Sequence, residues 1–157
     1  MTRSRHKKAV YGLADYQDLP ELVELCYMFQ KESWQAFADF DDYKVENYFI
    51  SLMEGDNSEI FVAHRGGYVV GCICVFLYNP PHSNTLFAGD YIWYVVPEER
   101  GSMIGVRLMK MFMDWAESNG AKCITTGATS AISTDRTSEL FERLGCEVTG
   151  TAIIRRF

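Results

Sequence analysis

The chain has 157 residues, 48% of them apolar and 23% charged, a composition that supports one packed core and excludes a disordered or low-complexity chain. Its formal net charge of −6 and the lack of any apolar run near the roughly 18 residues of a membrane span exclude nucleic acid and membrane as partners. The charge is laid out unevenly: residues 1–10 carry four bases and no acid, 11–60 carry twelve acids against Lys31 and Lys44, and 61–157 carry nine of each sign.

Residues 1–7 read as a flexible basic tail, without the apolar core that a secretion signal needs. Residues 8–13 predict a short strand. Asp18 and Pro20 then open a helix with Leu22, Leu25, Cys26 and Phe29 at helical spacing. The stretch SWQAFADFDD (33–42) reads as a loop, and a second helix follows from about Tyr43 to Met53. Glu59 to His64 and Tyr68 to Tyr78 flank Arg65-Gly66-Gly67, the pattern of a hairpin. Asn79-Pro80-Pro81-His82 breaks the chain before a strand from Leu86 to Val96. Residues 103–118 form the strongest helix, with Ile104, Leu108, Met111, Phe112 and Trp115 on one stripe and a left-handed stop at Asn119-Gly120. A strand from Ala121 to Ala128, a short helix capped by Ser133 or Thr134 and running to Leu144, and a closing strand from Glu147 to Arg156 complete the chain. The order β-α-α-β-β-β-α-β-α-β makes a single mixed α/β domain.

Five cysteines leave an odd one out, and Cys72 and Cys74, two apart on a strand, are badly placed for a bridge. Reduced thiols in a cytoplasmic protein are the expectation. His6, His64 and His82 are scattered without ligand spacing, so no metal site is expected. No nucleophilic Ser or Cys triad is supported either.

The informative segment runs from Tyr91 to Gly105. A strand ending in a polar, glycine-containing turn that opens a long helix gathers unpaired backbone N–H groups into one cup and favours a phosphate there. Gly101 and Gly105 remove side chains where such a ligand comes close. Neither GxxxxGK[ST] nor GxGxxG is present, which disfavours nucleotide hydrolysis and dinucleotide binding.

Val95-Val96-Pro97 followed by Arg100-Gly101-Ser102-Met103-Ile104-Gly105 resembles motif A of the GCN5-related N-acetyltransferase (GNAT) family, Arg/Gln-x-x-Gly-x-Gly/Ala after a strand ending in Val-x-Pro. Glu139-Leu-Phe-Glu-Arg-Leu-Gly-Cys-Glu147 is similar to the family's closing Leu-Tyr-x-x-x-Gly-Phe, and the element order matches nearly end to end. The resemblance implies acetyl transfer from acetyl-coenzyme A (acetyl-CoA) to an amine on a sheet whose central strands splay. It implies a pyrophosphate held by Arg100 and the amides of Gly101, Ser102, Met103, Ile104, Gly105 and Val106. The pantetheine arm would lie along the backbone of Trp93 to Val95, with Val96 and Thr134 completing the cofactor set. Met103 departs from the family's glycine, and Phe141 replaces a tyrosine that often reprotonates the thiolate.

Transfer to an amine needs a neutral nucleophile. Asp90 is the candidate base and Tyr94 a candidate replacement acid. Glu98 and Glu99 are expected to face solvent. Acceptor contacts are expected from Glu32, Trp34, Phe37, Asp39, Phe40, Asp41 and Asp42, since carboxylates and aromatic faces suit a cationic amine: a polyamine, an aminoglycoside, another small amine or a basic protein segment. A homodimer is compatible with these residues. The rival reading is an inactive module of the same fold that grips a protein partner through its acidic N-terminal third.

Overall fold

The computed structural model describes residues 7–128, 130, 132 and 134–157; most of the basic tail, with His6, and the Ser133 cap position lie outside them. Among the described residues, five strands and four α-helices follow the expected order up to its last helix: β1 (Val10–Leu13), α1 (Leu19–Glu32), α2 (Asp42–Glu54), β2 (Ser58–Arg65), β3 (Tyr68–Tyr78), β4 (Phe87–Val95), α3 (Ile104–Ser118), β5 (Cys123–Thr125) and α4 (Thr134–Arg143). The sheet order is β1-β2-β3-β4-β5, antiparallel through β4 and parallel between β4 and β5.

Local chemistry explains the joints. Gly66 and Gly67 both sit at positive φ, 64° and 88°, the two-residue turn whose twist matches a β2–β3 hairpin. The carboxylate of Asp41 caps α2 by accepting from Lys44 N at 2.9 Å, a role that differs from the acceptor contact expected of it. On α3 the fully buried line is Ile104, Leu108, Met109, Phe112 and Ala116. Met111 and Trp115, placed on the stripe by sequence, flank this line and are half-buried. The core lies between α3 on one face of β2–β4 and α1 with α2 on the other. Gly71 marks the closest approach, since a Cβ there would lie 3.2 Å from both Ile104 and Leu108.

Two departures bear on the site. The closing strand expected over Glu147 to Arg156 does not form: those residues pair with no strand and are exposed. β5 is three residues long and offers little ladder to extend, so the apolar residues Val148 and Ile153 stay in solvent. The β3–β4 register also shifts by one residue. Cys74 pairs with Ile92 but Val75 pairs with Asp90, which leaves Tyr91 as the extra residue of a bulge. Among the described residues no helix is long and apolar enough to cross a membrane, and all five cysteines are unbridged.

Candidate active site

β4 and β5 pair only between Phe87–Gly89 and Cys123–Thr125; beyond Gly89 they part, and β4 runs on to Val95. Val96 N donates to Val70 O at 3.0 Å. Strand alternation then turns the N–H and C=O groups of Trp93 and Val95 away from β3, toward the gap. The gap is a cleft of about 710 Å³, within the range of small-molecule sites.

One end of the cleft is the turn that opens α3. Gly101 has φ 85°, a conformation that favours glycine, and nothing lies within 4 Å of the position its Cβ would take. Ser102 Oγ donates to Glu99 O at 2.6 Å and accepts from Ile104 N at 3.3 Å, which braces the turn. Gly101, Ser102, Gly105 and Val106 line the cleft. A Cβ on Gly105 would meet Trp93 at 3.4 Å and Val95 at 3.6 Å, so a methyl group fits there. Met103 is 59% exposed and is not part of the cleft wall; its side chain does not plug the cup. The side chains of Val96 and Ile104 are buried in the core.

The walls hold an unusual set of polar groups. Asp90 Oδ1, Trp93 Nε1 and Thr126 Oγ1 are buried without a hydrogen bond of good geometry, although Thr126 stands close enough to the Asp90 carboxyl to favour its charged form, and all three residues line the cleft. Buried polar atoms are normally paired, so this cluster is the part of the cleft wall with spare hydrogen-bonding capacity. Burial pushes the Asp90 carboxyl up from 3.8 to about 6, an effect that Thr126 and the backbone partly offset. Tyr94 donates its hydroxyl to Glu32; burial, then this carboxylate, raises its pKa, so the phenol keeps its proton. Arg100 forms two bonds to Glu32, at 2.7 and 2.9 Å, and this ion pair holds the Glu32 carboxyl below its usual range.

Glu99 corrects the sequence reading. Rather than facing solvent like Glu98, it is 4% exposed and pairs with Arg65 at 2.6 Å; a buried carboxylate requires such a partner. The acceptor residues fare unevenly. Trp34, Phe37, Asp39 and Asp41 lie off the cleft wall. Phe37 is 68% exposed, and the carbonyl of Asp39 is held by Gln30 Nε2. Thr134 is the exposed first residue of α4, also off the wall. Phe141 is buried, its ring 5.4 Å from that of Trp93. Sequence reasoning missed Thr126 and the α4 face bearing Arg136, Glu139 and Arg143, which close the far side of the cleft. The 3.6-residue period of α4 was the available signal for that face.

The profile of the acetyltransferase (GNAT) family matches residues 19–146, whereas no curated protein sequence matches the chain. Similar solved structures include a transcriptional regulator from Bacillus halodurans C-125, at 17% identity over 96% of this chain and 100% of that one, with a TM-score of 0.78. An aminoglycoside N-acetyltransferase in complex with coenzyme A (CoA) shares 15% identity over 98% and 97% of the chains, with a TM-score of 0.74. Glucosamine-6-phosphate N-acetyltransferase from Arabidopsis thaliana shares 15% identity over 96% and 99%, also with a TM-score of 0.74. With the family profile spanning most of its length, the chain belongs to the acetyltransferase (GNAT) family and is an acetyl-CoA-dependent N-acetyltransferase.

Proposed function

We propose that the protein acetylates a primary amine of a small cationic molecule, with Asp90 as the base. The observation that carries this reading is the cleft wall on which the Asp90 carboxyl is buried beside Trp93 Nε1 and Thr126 Oγ1, none of them with a hydrogen bond of good geometry. The residues present fit acetyl-CoA. Gly101 keeps the turn open and Gly105 lets the first turn of α3 lie close against Trp93 and Val95, and the first-turn N–H groups of α3 lack helical partners. The backbone edge at Trp93 and Val95 suits an extended amide-bearing arm. Arg136 and Arg143 add positive charge on the α4 side. When bound, acetyl-CoA supplies the thioester whose acetyl group is transferred.

The chain's own residues manage protons and charge. Asp90 is mostly ionised at neutral pH, yet burial makes it a better proton acceptor than an ordinary aspartate. It can therefore take the proton that an ammonium must lose before its nitrogen can attack. Tyr94 retains its proton on Oη and can return it to a leaving anion only by letting go of Glu32. The acidic residues 11–60 raise the local concentration of a cationic acceptor. Two similar structures are, by name, acetyltransferases of an aminoglycoside and of glucosamine 6-phosphate, which supports an amine of that size.

Calorimetric titration with CoA and a thiol-release assay test the reading. Gly105→Glu places a carboxylate at the anion cup and is expected to weaken CoA binding about thirtyfold, or about 2 kcal/mol. Gly105→Ala, whose methyl group makes ordinary contacts, is expected to stay within about threefold. Wild-type protein that binds CoA but releases no thiol with spermidine, kanamycin or glucosamine 6-phosphate would sink the small-amine assignment.

A further inference from the structure

Arg100 already holds an anion. Its Nη1 and Nη2 donate to the two oxygens of Glu32 at 2.7 and 2.9 Å, and its Nε donates to Val95 O at 3.0 Å. The guanidinium also lies over the Tyr94 ring, 5.2 Å from its centre, while the Tyr94 hydroxyl donates to the same Glu32 carboxylate. Glu32 is the last residue of α1. Two positions later, Trp34 N donates to Ser130 O at 3.1 Å, and Ser130 lines the opposite wall of the cleft. Residues 32–34 thus tie one wall to the other.

A bidentate carboxylate occupies a guanidinium in the same planar way that a phosphate does. The Nη1–Nη2 edge of Arg100 presents one parallel pair of donors, and a carboxylate seated on that edge excludes a phosphate from it. We propose that Glu32 is an internal stand-in for phosphate: it occupies Arg100 until the polyphosphate of the cosubstrate takes its place, and so sets the affinity for that cosubstrate. The inference rests on the reading of the cleft as the acetyl-CoA site. Glu32 acts through Arg100 and is a positioning residue rather than a catalytic one. The exchange is energetically accessible because both side chains are about 30% exposed, 29% for Arg100 and 32% for Glu32. Exposed ion pairs contribute little, whereas a guanidinium–phosphate pair beside a helix N-terminus is charge-assisted from two sides.

A double-mutant cycle separates this from a general field effect. The wild type, Glu32→Gln, Arg100→Gln and the double variant are each titrated with CoA at about 0.1 M salt, with thermal melts to check folding. Glu32→Gln is expected to bind about fivefold more tightly than the wild type, and Arg100→Gln about tenfold more weakly. In the Arg100→Gln background the gain from Glu32→Gln is expected to vanish. A gain of equal size in both backgrounds means that Glu32 acts only by its charge at a distance, and overturns the proposal. So does Glu32→Gln binding no tighter than the wild type. Failure of the wild type itself to bind CoA overturns the reading of the cleft, and the inference with it.

Discussion

Asp90→Asn protein is expected to be more stable than the wild type at about pH 7.5 and to turn over about a thousandfold more slowly, within the range of 10² to 10⁴ for a lost general base. Both effects come from one carboxylate. Burial raises its pKa from 3.8 to about 6, so the folded protein holds this proton more tightly than the unfolded chain and resists the charged form. The resulting penalty is absent below about pH 4, develops as the pH rises through 6, and is complete above it, where it reaches about 3 kcal/mol. Asparagine removes the charge, so its stabilising effect is largest at alkaline pH and disappears in acid. Activity runs the other way: wild-type kcat/KM is expected to rise with pH through about 6, and the variant to lack that limb. Thermal melts from pH 4 to 8 and a pH–rate profile check both halves. Undiminished turnover in Asp90→Asn would remove Asp90 from the chemistry.

The second large effect lies in the core. Phe112 is fully buried on α3, and Phe112→Ala is expected to cost about 3–5 kcal/mol through lost burial and the cavity left behind. For a domain of this size that corresponds to a fall in Tm of about 10 °C. The substitution lies two helical turns from the N-terminal end of α3 that lines the cleft, so CoA affinity below the new Tm is expected to change by less than about twofold. Melting followed by circular dichroism, with calorimetry on the same samples, measures the two independently. A fall in Tm of less than about 3 °C would show that the core closes over the gap.

What was legible in the sequence was local. The hairpin announced itself through Gly66-Gly67 because a two-residue turn with both φ positive admits few other residues. The turn at Gly101 was equally readable, since a strand, a glycine and a helix start within a few positions of one another. Charged residues were misread where their partners were distant. Glu99 looked like a surface acid because nothing in its neighbourhood reveals Arg65, which comes from the end of β2. The pairing of Glu32 with Arg100 spans 68 positions and leaves no trace in any periodicity. The closing strand failed for a related reason. The segment from Glu147 onward becomes a strand only where a neighbour has a free ladder to offer, and the brevity of β5 is a property of the fold rather than of that segment. The loop from Trp34 to Asp41 was rich in the right chemistry, but side-chain type does not reveal which way a loop turns.

The extra residue in β4 has a consequence for how this strand tolerates change. Asp90 and Trp93 are three positions apart, an odd number, and in an uninterrupted strand they would project to opposite sides. Their ladder partners, Val75 and Ile73, are two apart and project to the same side, so the insertion at Tyr91 reverses the parity and lets the carboxylate share a side with the indole. Deleting that one tyrosine would leave the two residues two apart in a regular strand, still on one side, whereas inserting one residue between them would turn the acid toward the opposite face without altering either group.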